Sequence, residues 1–215
     1  DRIAAEGVVD ILRDGETAVM IEVNAETDFV AKNASFQEFV AGLLRTILAK
    51  KPADVDALMA LPFDGTETTV EDALKEKVFT IGEKIKIRRF VIVEGYMSSY
   101  IHGKGTTGVI VKFDTDDATA AKEGFAEYAK NVALQTAAMP VQYLDRDSVP
   151  ASVLEEEKKI LIAQMQQDPK MANKPDNILQ NIVKGRLGKF YENNCLLEQA
   201  YVKDDSMTVA KYVAS

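Results

Sequence analysis

Apolar residues recur with two different periods near the start of this chain. Short apolar runs at 7–13 and 17–23 flank the turn pair Asp14-Gly15, a pattern that predicts a β-hairpin. Spacings of three and four then recur over 35–50 and predict one amphipathic helix. The apolar stripe of that helix consists of Phe36, Phe39, Val40, Leu43, Leu44, Ile47 and Leu48. The chain is therefore predicted to begin with two paired strands and a long helix.

Two shorter helices and a further strand complete this first unit. Pro52 is suited to open a helix over about 52–60, and Thr69 is suited to cap a helix over 70–80. Alternating apolar residues then predict a strand, or a bent pair of strands, over 85–93. The predicted order is strand, strand, helices, strand.

The next part of the chain repeats this pattern. Strands are predicted at 96–101 and 108–113, and a helix is predicted at 118–137. The aromatic residues at the two ends of 36–39 correspond to those of 125–128. We therefore interpret this part as a second copy of the first unit.

Apolar stripes toward the end of the chain predict a helical hairpin. They mark one face of each of two helices, at about 150–167 and 175–192, which we expect to pack face to face. A short last helix is predicted from Ser206. A third strand of the second copy is either a stub at 201–203 or lies beyond Ser215, and we favour the second alternative.

These elements predict an α+β fold of two related subdomains, each a small antiparallel sheet packed with helices. The first subdomain is predicted at 1–95 and the second at 96–215. The antiparallel helical hairpin is predicted as an insertion at 150–193.

Composition and charge limit the classes of function. The chain has 215 residues, 47% of them hydrophobic, and a net charge of −8. This charge argues against direct binding of nucleic acid through a general basic surface. No apolar run approaches the roughly 18–20 residues that span a bilayer, so no membrane segment is predicted. The single Cys195 fits a reducing, intracellular setting, and together with the single His102 it cannot form a usual zinc site.

Residues 103–108 match the pattern G-x-G-x-x-G. In dinucleotide sites these glycines open a helix, whereas here 109–113 predicts a strand. We therefore predict a hairpin loop and no cofactor. His102 stands at the mouth of this loop, without a sequence neighbour that points to a nucleophile or a carboxylate partner. A surface histidine is thus favoured over a catalytic one, and contact with a partner stays open.

The segment Thr27, Asp28, Phe29 and Val30 lies between the second strand and the long helix. Its simplest interpretation is a helix entry, in which a capping residue precedes apolar residues that pack on the helix. The equivalent place in the second copy, 117–120, has no aromatic residue and no bulky apolar residue. Since the same turn is made without an Asp-Phe pair, the pair is surplus to folding. This comparison favours a binding role.

The residues around this segment carry a resemblance to a known family. The run Glu22-Val23-Asn24-Ala25-Glu26-Thr27-Asp28-Phe29-Val30-Ala31-Lys32-Asn33 closely resembles a signature of the bacterial elongation factor Ts family. Further matching residues are Ile81-Gly82-Glu83-Lys84-Ile85, Arg88-Arg89, His102-Gly103, Lys184-Gly185-Arg186-Leu187-Gly188-Lys189-Phe190, Leu197-Glu198-Gln199 and Tyr201-Val202-Lys203-Asp204. The resemblance covers essentially the whole chain.

The resemblance implies a guanine nucleotide exchange factor, cytoplasmic, whose partner is the GDP-bound GTPase elongation factor Tu. Thr27, Asp28, Phe29 and Val30 would enter the GTPase near its magnesium ion, with Phe29 as a steric wedge and Asp28 as the polar residue aimed at the disturbed site. No covalent chemistry and no cofactor or metal of its own would be required. In the family a helical domain precedes the part that matches from residue 1, a final strand follows it, and the hairpin at 150–193 protrudes.

Two further classes of function remain as alternatives. The second hypothesis is a structural module that forms a homodimer through the helical hairpin, which is compatible with an exchange role. A small-molecule enzyme that uses His102 would instead require a concave pocket with a carboxylate near the imidazole ring.

Overall fold

A computed structural model of the chain describes residues 2–215. The described chain forms two compact units, the first extending through Ala137 and the second comprising Ala138–Ser215. Each unit mixes helices with antiparallel strands, so the predicted α+β class is confirmed. The division into subdomains at 1–95 and 96–215 stays a prediction.

The first unit begins with the predicted hairpin. Strand β1 is Glu6–Asp14 and strand β2 is Thr17–Ala25, and they pair antiparallel with Asp14 opposite Thr17. Strand β3, Ile85–Glu94, pairs antiparallel with the other edge of β2, which gives the order β1-β2-β3. Of the two alternatives predicted for 85–93, a single strand or a bent pair of strands, the structure has the single strand.

Four helices connect β2 to β3. They are α1, Asp28–Ala31; α2, Ala34–Lys50; α3, Val55–Met59; and α4, Val70–Ile81. Helix α2 agrees with the predicted amphipathic helix. Thr69 caps α4 as predicted, because its hydroxyl accepts the N–H of Asp72 at 3.2 Å. Helix α3 begins later than predicted, since Asp54 caps it by accepting the Ala57 N–H at 2.8 Å.

The core of the first unit lies between α2 and one face of the sheet. Alternate residues of β2 (Val19, Ile21 and Val23) are fully buried against the apolar stripe of α2. The helix residues Phe36, Leu43 and Ile47 are equally inaccessible. Burying side chains of this size stabilises by about 1.5–3 kcal/mol each relative to exposure, so this contact anchors the sheet and α2 to each other.

The second copy of the pattern lies in the same unit. Strands β4, Tyr96–His102, and β5, Thr107–Phe113, form an antiparallel hairpin. Helix α5, Asp117–Ala120, and helix α6, Phe125–Ala138, follow it. The continuous helix predicted over 118–137 is wrong, because Gly124 has φ +89 and a residue in that conformation cannot continue an α-helix.

The second unit contains the predicted helical hairpin. Helix α7 is Ala151–Gln167 and helix α8 is Asp176–Asn194. Leu161 and Met165 of α7 pack with Val183 and Leu187 of α8 in one buried cluster. The face-to-face packing of the two helices is thus confirmed.

The C-terminal segment differs from the prediction. Strand β6, Ala200–Tyr201, pairs with strand β7, Asp204–Thr208, and so the residues considered as a stub of the second copy's sheet belong to a separate small sheet. Helix α9, Val209–Ala214, is capped by Thr208 and not by Ser206, since the Thr208 hydroxyl accepts the Lys211 N–H at 3.2 Å. None of the helices in residues 2–215 has the length and apolar character that a membrane crossing requires.

Two glycines of contrasting geometry allow a test of this fold. Gly124→Ala places a Cβ on a residue at φ +89 and should lower the free energy of unfolding by about 1–2 kcal/mol. Gly185→Ala lies inside α8 with open space around its Cβ, and should raise the stability by about 0.5–1 kcal/mol. Urea denaturation followed by circular dichroism measures both, and equal effects of the two substitutions would contradict the break between α5 and α6.

Candidate functional site

The segment that leads from β2 into α1 is attached to a distant loop by Glu83. Thr27 is the N-cap of α1 and has an extended backbone, with φ −128 and ψ 155. Its backbone N–H donates to Oε2 of Glu83 at 3.1 Å, and its hydroxyl donates to Oε1 of the same carboxylate at 2.7 Å. Both oxygens of Glu83 are therefore used to hold one residue.

A second hydrogen bond runs between the same two segments in the opposite sense. The backbone N–H of Lys84 donates to Oε1 of Glu26 at 2.8 Å. This bond is the main reason that the pKa of Glu26 lies below its ordinary value, and the nearby Arg2 guanidinium adds to the effect. Glu26 and Glu83 thus each accept a hydrogen bond from the other segment, although the two segments are more than fifty residues apart in sequence.

Gly82 makes this arrangement possible by ending α4 abruptly. It has φ +80, the left-handed conformation that favours glycine, and its N–H donates to the Val78 carbonyl at 2.8 Å. The chain turns there from α4 into β3, so Glu83 and Lys84 lie immediately beyond the helix end. Val78 and Ile81 pack against the core of the unit, which fixes the position of that end.

The three residues after Thr27 have very different environments. Val30 is buried in the core of the first unit, at 7% exposure, whereas Phe29 is 78% exposed. Asp28 is also exposed, and its carboxylate pairs with the Lys32 ammonium at 3.1 Å. Successive residues of a helix point about 100° apart, so burying Val30 in a single turn directs Phe29 away from the core.

The second copy makes the same turn without an aromatic residue. Helix α5 begins at Asp117 as α1 begins at Asp28, and Ala118 occupies the place of Phe29. Asp116 caps α5 in the usual way, because its carboxylate accepts the Thr119 N–H at 2.7 Å. The comparison within one molecule supports the view that the fold does not require a phenylalanine at this position.

An ion-pair cluster on β2 and β3 lies just before the segment. Arg88 is an extra residue in β3 where the register with β2 shifts, so that both Arg88 and Arg89 reach Glu22. The Arg88 and Arg89 guanidinium groups lie 3.1 and 2.9 Å from the Glu22 carboxylate, and the Asn24 amide donates to it at 3.1 Å. Burial raises the pKa of Glu22, but these hydrogen bonds outweigh it and hold the pKa below its ordinary value.

His102 lies on the surface at the end of β4. Its Nδ1 is 3.0 Å from the Tyr100 hydroxyl, and the part of the chain that the structure describes offers the ring no carboxylate partner. The loop that follows is a hairpin turn into β5, as predicted from the sequence, and not a helix N-terminus. Nothing in this geometry activates the imidazole as an acid or a base.

The rest of the molecule offers no second candidate for a reactive site among the described residues. Cys195 is buried, and this burial raises the pKa of its thiol. A groove of about 720 Å³ lies along the sheet face opposite α2, and its lining includes Met20, Glu22, Arg89 and residues 105–108 around the start of β5. Residues 2–215 contain no group of three or more His, Cys, Asp or Glu side chains placed to hold a metal ion.

Glu83 is the residue of this site that the sequence did not reveal. It belongs to a matching run of the resemblance, but no local pattern connects it to Thr27, which lies 56 residues earlier. The resemblance implies a partner-binding role for all of 27–30, and in the structure Val30 is a core residue. Only Asp28 and Phe29 of the four present most of their side chains to solvent.

Comparison with known proteins gives consistent matches over the chain. A family model described as Elongation factor TS matches residues 26–215. An Elongation factor Ts from Syntrophotalea carbinolica is 45% identical over 216 residues, covering 99% of this chain and 69% of the relative. Similar proteins of the same description from Trichlorobacter lovleyi and Magnetococcus marinus are 44% and 41% identical, with the same two coverages.

The charge cluster at Glu22 should make the first unit sensitive to acid. Because the folded pKa of Glu22 is lowered, its contribution to stability is complete above the ordinary pKa of about 4.3 and is lost as the pH falls through the folded value. Glu22→Gln should cost about 1 kcal/mol at pH 7, since both arginines are largely exposed, and less at pH 3. Urea denaturation at the two pH values measures this, and an equal cost at both would contradict the assigned cause.

Proposed function

This chain belongs to the elongation factor Ts family of translation elongation factors, and we propose that it acts as a guanine nucleotide exchange factor for elongation factor Tu. The proposal extends the family membership to a partner, a GDP-bound GTPase, and to a site, the turn that carries Asp28 and Phe29. A role in translation elongation implies a cytoplasmic setting. The chain acts in this proposal by binding and does not form or break covalent bonds.

The observation that carries the proposal is the exposure of Phe29. Leaving a phenyl ring in water forgoes about 1.5–3 kcal/mol relative to burying it. The second copy avoids this cost with Ala118, so the first copy retains an unfavourable side chain that folding does not need. An apolar pocket on a partner would recover that free energy on binding.

The proposed mechanism is a competition for the magnesium and phosphate end of the nucleotide site. Magnesium that bridges the phosphates is a large part of what holds a nucleotide in a GTPase. Phe29 would act as a wedge between groups that support this end of the site, and Asp28 would place a negative charge beside it. By linkage, the factor by which the exchange protein weakens GDP equals the factor by which GDP weakens the exchange protein.

The four predicted residues would have two kinds of role. Thr27 and Val30 would anchor the turn, because one is bonded to Glu83 and the other is buried in the core. Asp28 and Phe29 would contact the partner. The Asp28–Lys32 pair is exposed and worth at most about 1 kcal/mol, so a partner could replace it at little cost. His102 remains proposed as a further partner contact, on the strength of its exposed position.

Self-association through the helical hairpin is a second candidate role. Ile160, Ile162 and Ile178 are each more than 40% exposed on α7 and α8. A groove of about 830 Å³ between the two helices is lined by apolar residues such as Ile162 and Leu179 and by charged residues such as Lys158 and Asp176. Exposed apolar side chains beside such a groove are typical of protein-binding surfaces.

Removing the exposed pair should impair nucleotide exchange without unfolding the protein. The double substitution Asp28→Ala with Phe29→Ala should slow the stimulated release of labelled GDP from elongation factor Tu by roughly tenfold or more, within the range of coupling energies of about 1–3 kcal/mol. Stopped-flow fluorescence measures this release, and circular dichroism verifies the fold.

Two matched controls accompany the double variant. Asp117→Ala changes the corresponding acid of the second copy, and Phe79→Ala removes another phenylalanine that is 89% exposed. Both controls should release GDP at the rate of the unchanged chain. A folded double variant with an unaltered rate would exclude this segment as the exchange site.

The hairpin candidate has its own test. Ile162→Glu with Ile178→Glu should abolish any dimer seen by light scattering, because two charges would be buried at the contact. Lys159→Gln also makes the net charge more negative, by one unit where the double variant changes it by two, at an exposed residue of α7, and should leave the mass unchanged. A monomeric mass for the unchanged chain at high micromolar concentration would rule out self-association through this surface.

A further inference from the structure

The N-terminus of α1 is built differently from that of its counterpart α5. In α5 the side chain of Asp116 accepts an N–H of its own helix, and so the short helix carries its own cap. In α1 the hydroxyl of Thr27 donates to Glu83 instead, and among the described residues no side-chain hydrogen bond from Thr27 caps α1. A one-turn helix without such a cap has little stability of its own. Its position must therefore depend on what holds it from outside.

Glu83 is well placed to hold it. Its carboxylate accepts both the N–H and the hydroxyl of Thr27, which fixes the direction of this residue as well as its distance. Hydrogen bonds to a charged group are stronger than those between neutral groups. Glu83 itself is half-buried and follows the end of α4, whose residues Val78 and Ile81 pack into the core.

We propose that Glu83 is a positioning residue for the exposed pair Asp28 and Phe29. It holds Thr27 at one end of the turn while Val30 is buried at the other end, so that Phe29 points away from the unit before any partner arrives. The effect on exchange rests on the proposed function. The pair of hydrogen bonds from Thr27 to Glu83, which we call the clamp, is a property of the free chain. A preorganised wedge binds more tightly because its ordering cost is met during folding.

Two substitutions of Glu83 separate positioning from a direct effect of its charge. Glu83→Ala removes both hydrogen bonds and should release the turn. Glu83→Gln removes the charge, but its amide oxygen can accept the Thr27 N–H and its amide nitrogen can donate to the Thr27 hydroxyl. Rescue by Gln is therefore expected of a positioning residue and not of a residue that acts through its negative charge. Glu94→Gln, a carboxylate at the other end of β3 that is paired with Lys51, is the matched control.

The first measurement is amide hydrogen exchange in the free chain. Glu83→Ala should raise the exchange rate of the Thr27 amide by roughly tenfold or more, because that N–H loses its acceptor. The Gly82 amide donates to the Val78 carbonyl and should keep its rate, which shows that the end of α4 is intact. An unchanged rate at Thr27, with Gly82 protected, would overturn the clamp.

The second measurement is the stimulated release of GDP from elongation factor Tu, as a function of the concentration of the chain. Glu83→Ala should raise the concentration needed for half-maximal stimulation by roughly tenfold, and Glu83→Gln should recover most of this loss. Equal losses in the Ala and Gln variants would overturn the positioning role, as would an unchanged half-maximal concentration in Glu83→Ala. If the unchanged chain itself fails to stimulate release, the proposed function fails, while the amide exchange result still decides the clamp.

A double-mutant cycle connects the two residues of the clamp. Thr27→Val removes the hydroxyl that donates to Glu83 and retains a side chain of similar shape. If Glu83 acts through Thr27, Glu83→Ala should slow the stimulated release of GDP less in the Thr27→Val background than in the unchanged chain. Additive effects of the two substitutions would show that Glu83 acts on the partner by another route.

Discussion

The short helix α1 is held at both of its ends, and the exposure of Phe29 depends on these two attachments. Val30 is buried in the core at one end, and Thr27 is bonded to Glu83 at the other. Two attachment points restrict the rotation of a single helical turn, and they thereby set the direction in which its remaining Cα–Cβ bonds point. Phe29 is consequently held in solvent by forces that act on its neighbours. An aromatic residue on an ordered turn loses less entropy on binding than one on a mobile loop.

Comparison of the two copies of the repeat shows which features of α1 the fold does not require. Both copies place a one-turn helix after the second strand of a hairpin, and both follow it with a longer helix. The copy at α5 uses an Asx-type cap and an alanine, which is the solution that local stability favours. The copy at α1 replaces the local cap by a bond to a distant carboxylate and the alanine by a phenylalanine. Departures from local preference that the fold does not require are typical of functional positions.

Charged groups around the segment connect the sheet to this turn. Glu22 on β2 binds two arginines because the register shifts in β3, and Glu26, four residues later, accepts the backbone N–H of Lys84 just before the same strand. Side chains of β2 and of the residue that follows it therefore contact β3 and the loop before it, both before and after the last paired residues of the two strands. The two ion pairs of Glu22 are modest because the arginine side chains are largely exposed. Together with the Glu26 bond, they limit the ways in which β2 and the loop before β3 can separate.

The sequence by itself determined the elements with strong periodicity. The amphipathic stripe of α2 specifies a helix because residues three and four apart share one face, and the hairpin of β1 and β2 follows from its turn pair. The matching signature around Thr27–Val30 identified the family and the segment to consider. The break between α5 and α6 was missed because the apolar spacing continues across it, although glycine permits the positive φ that Gly124 adopts just before α6.

Only the tertiary structure decided which residues of the segment face outward and what holds them there. A run of four residues does not reveal that Val30 enters the core while Phe29 does not, because that choice depends on where the helix axis lies relative to the sheet. Likewise, Glu83 and Thr27 are brought together by the antiparallel pairing of β2 with β3, which sets the end of one strand beside the start of the other. Contacts between residues so distant in sequence leave no periodic signal, and they become visible only once the strands are paired.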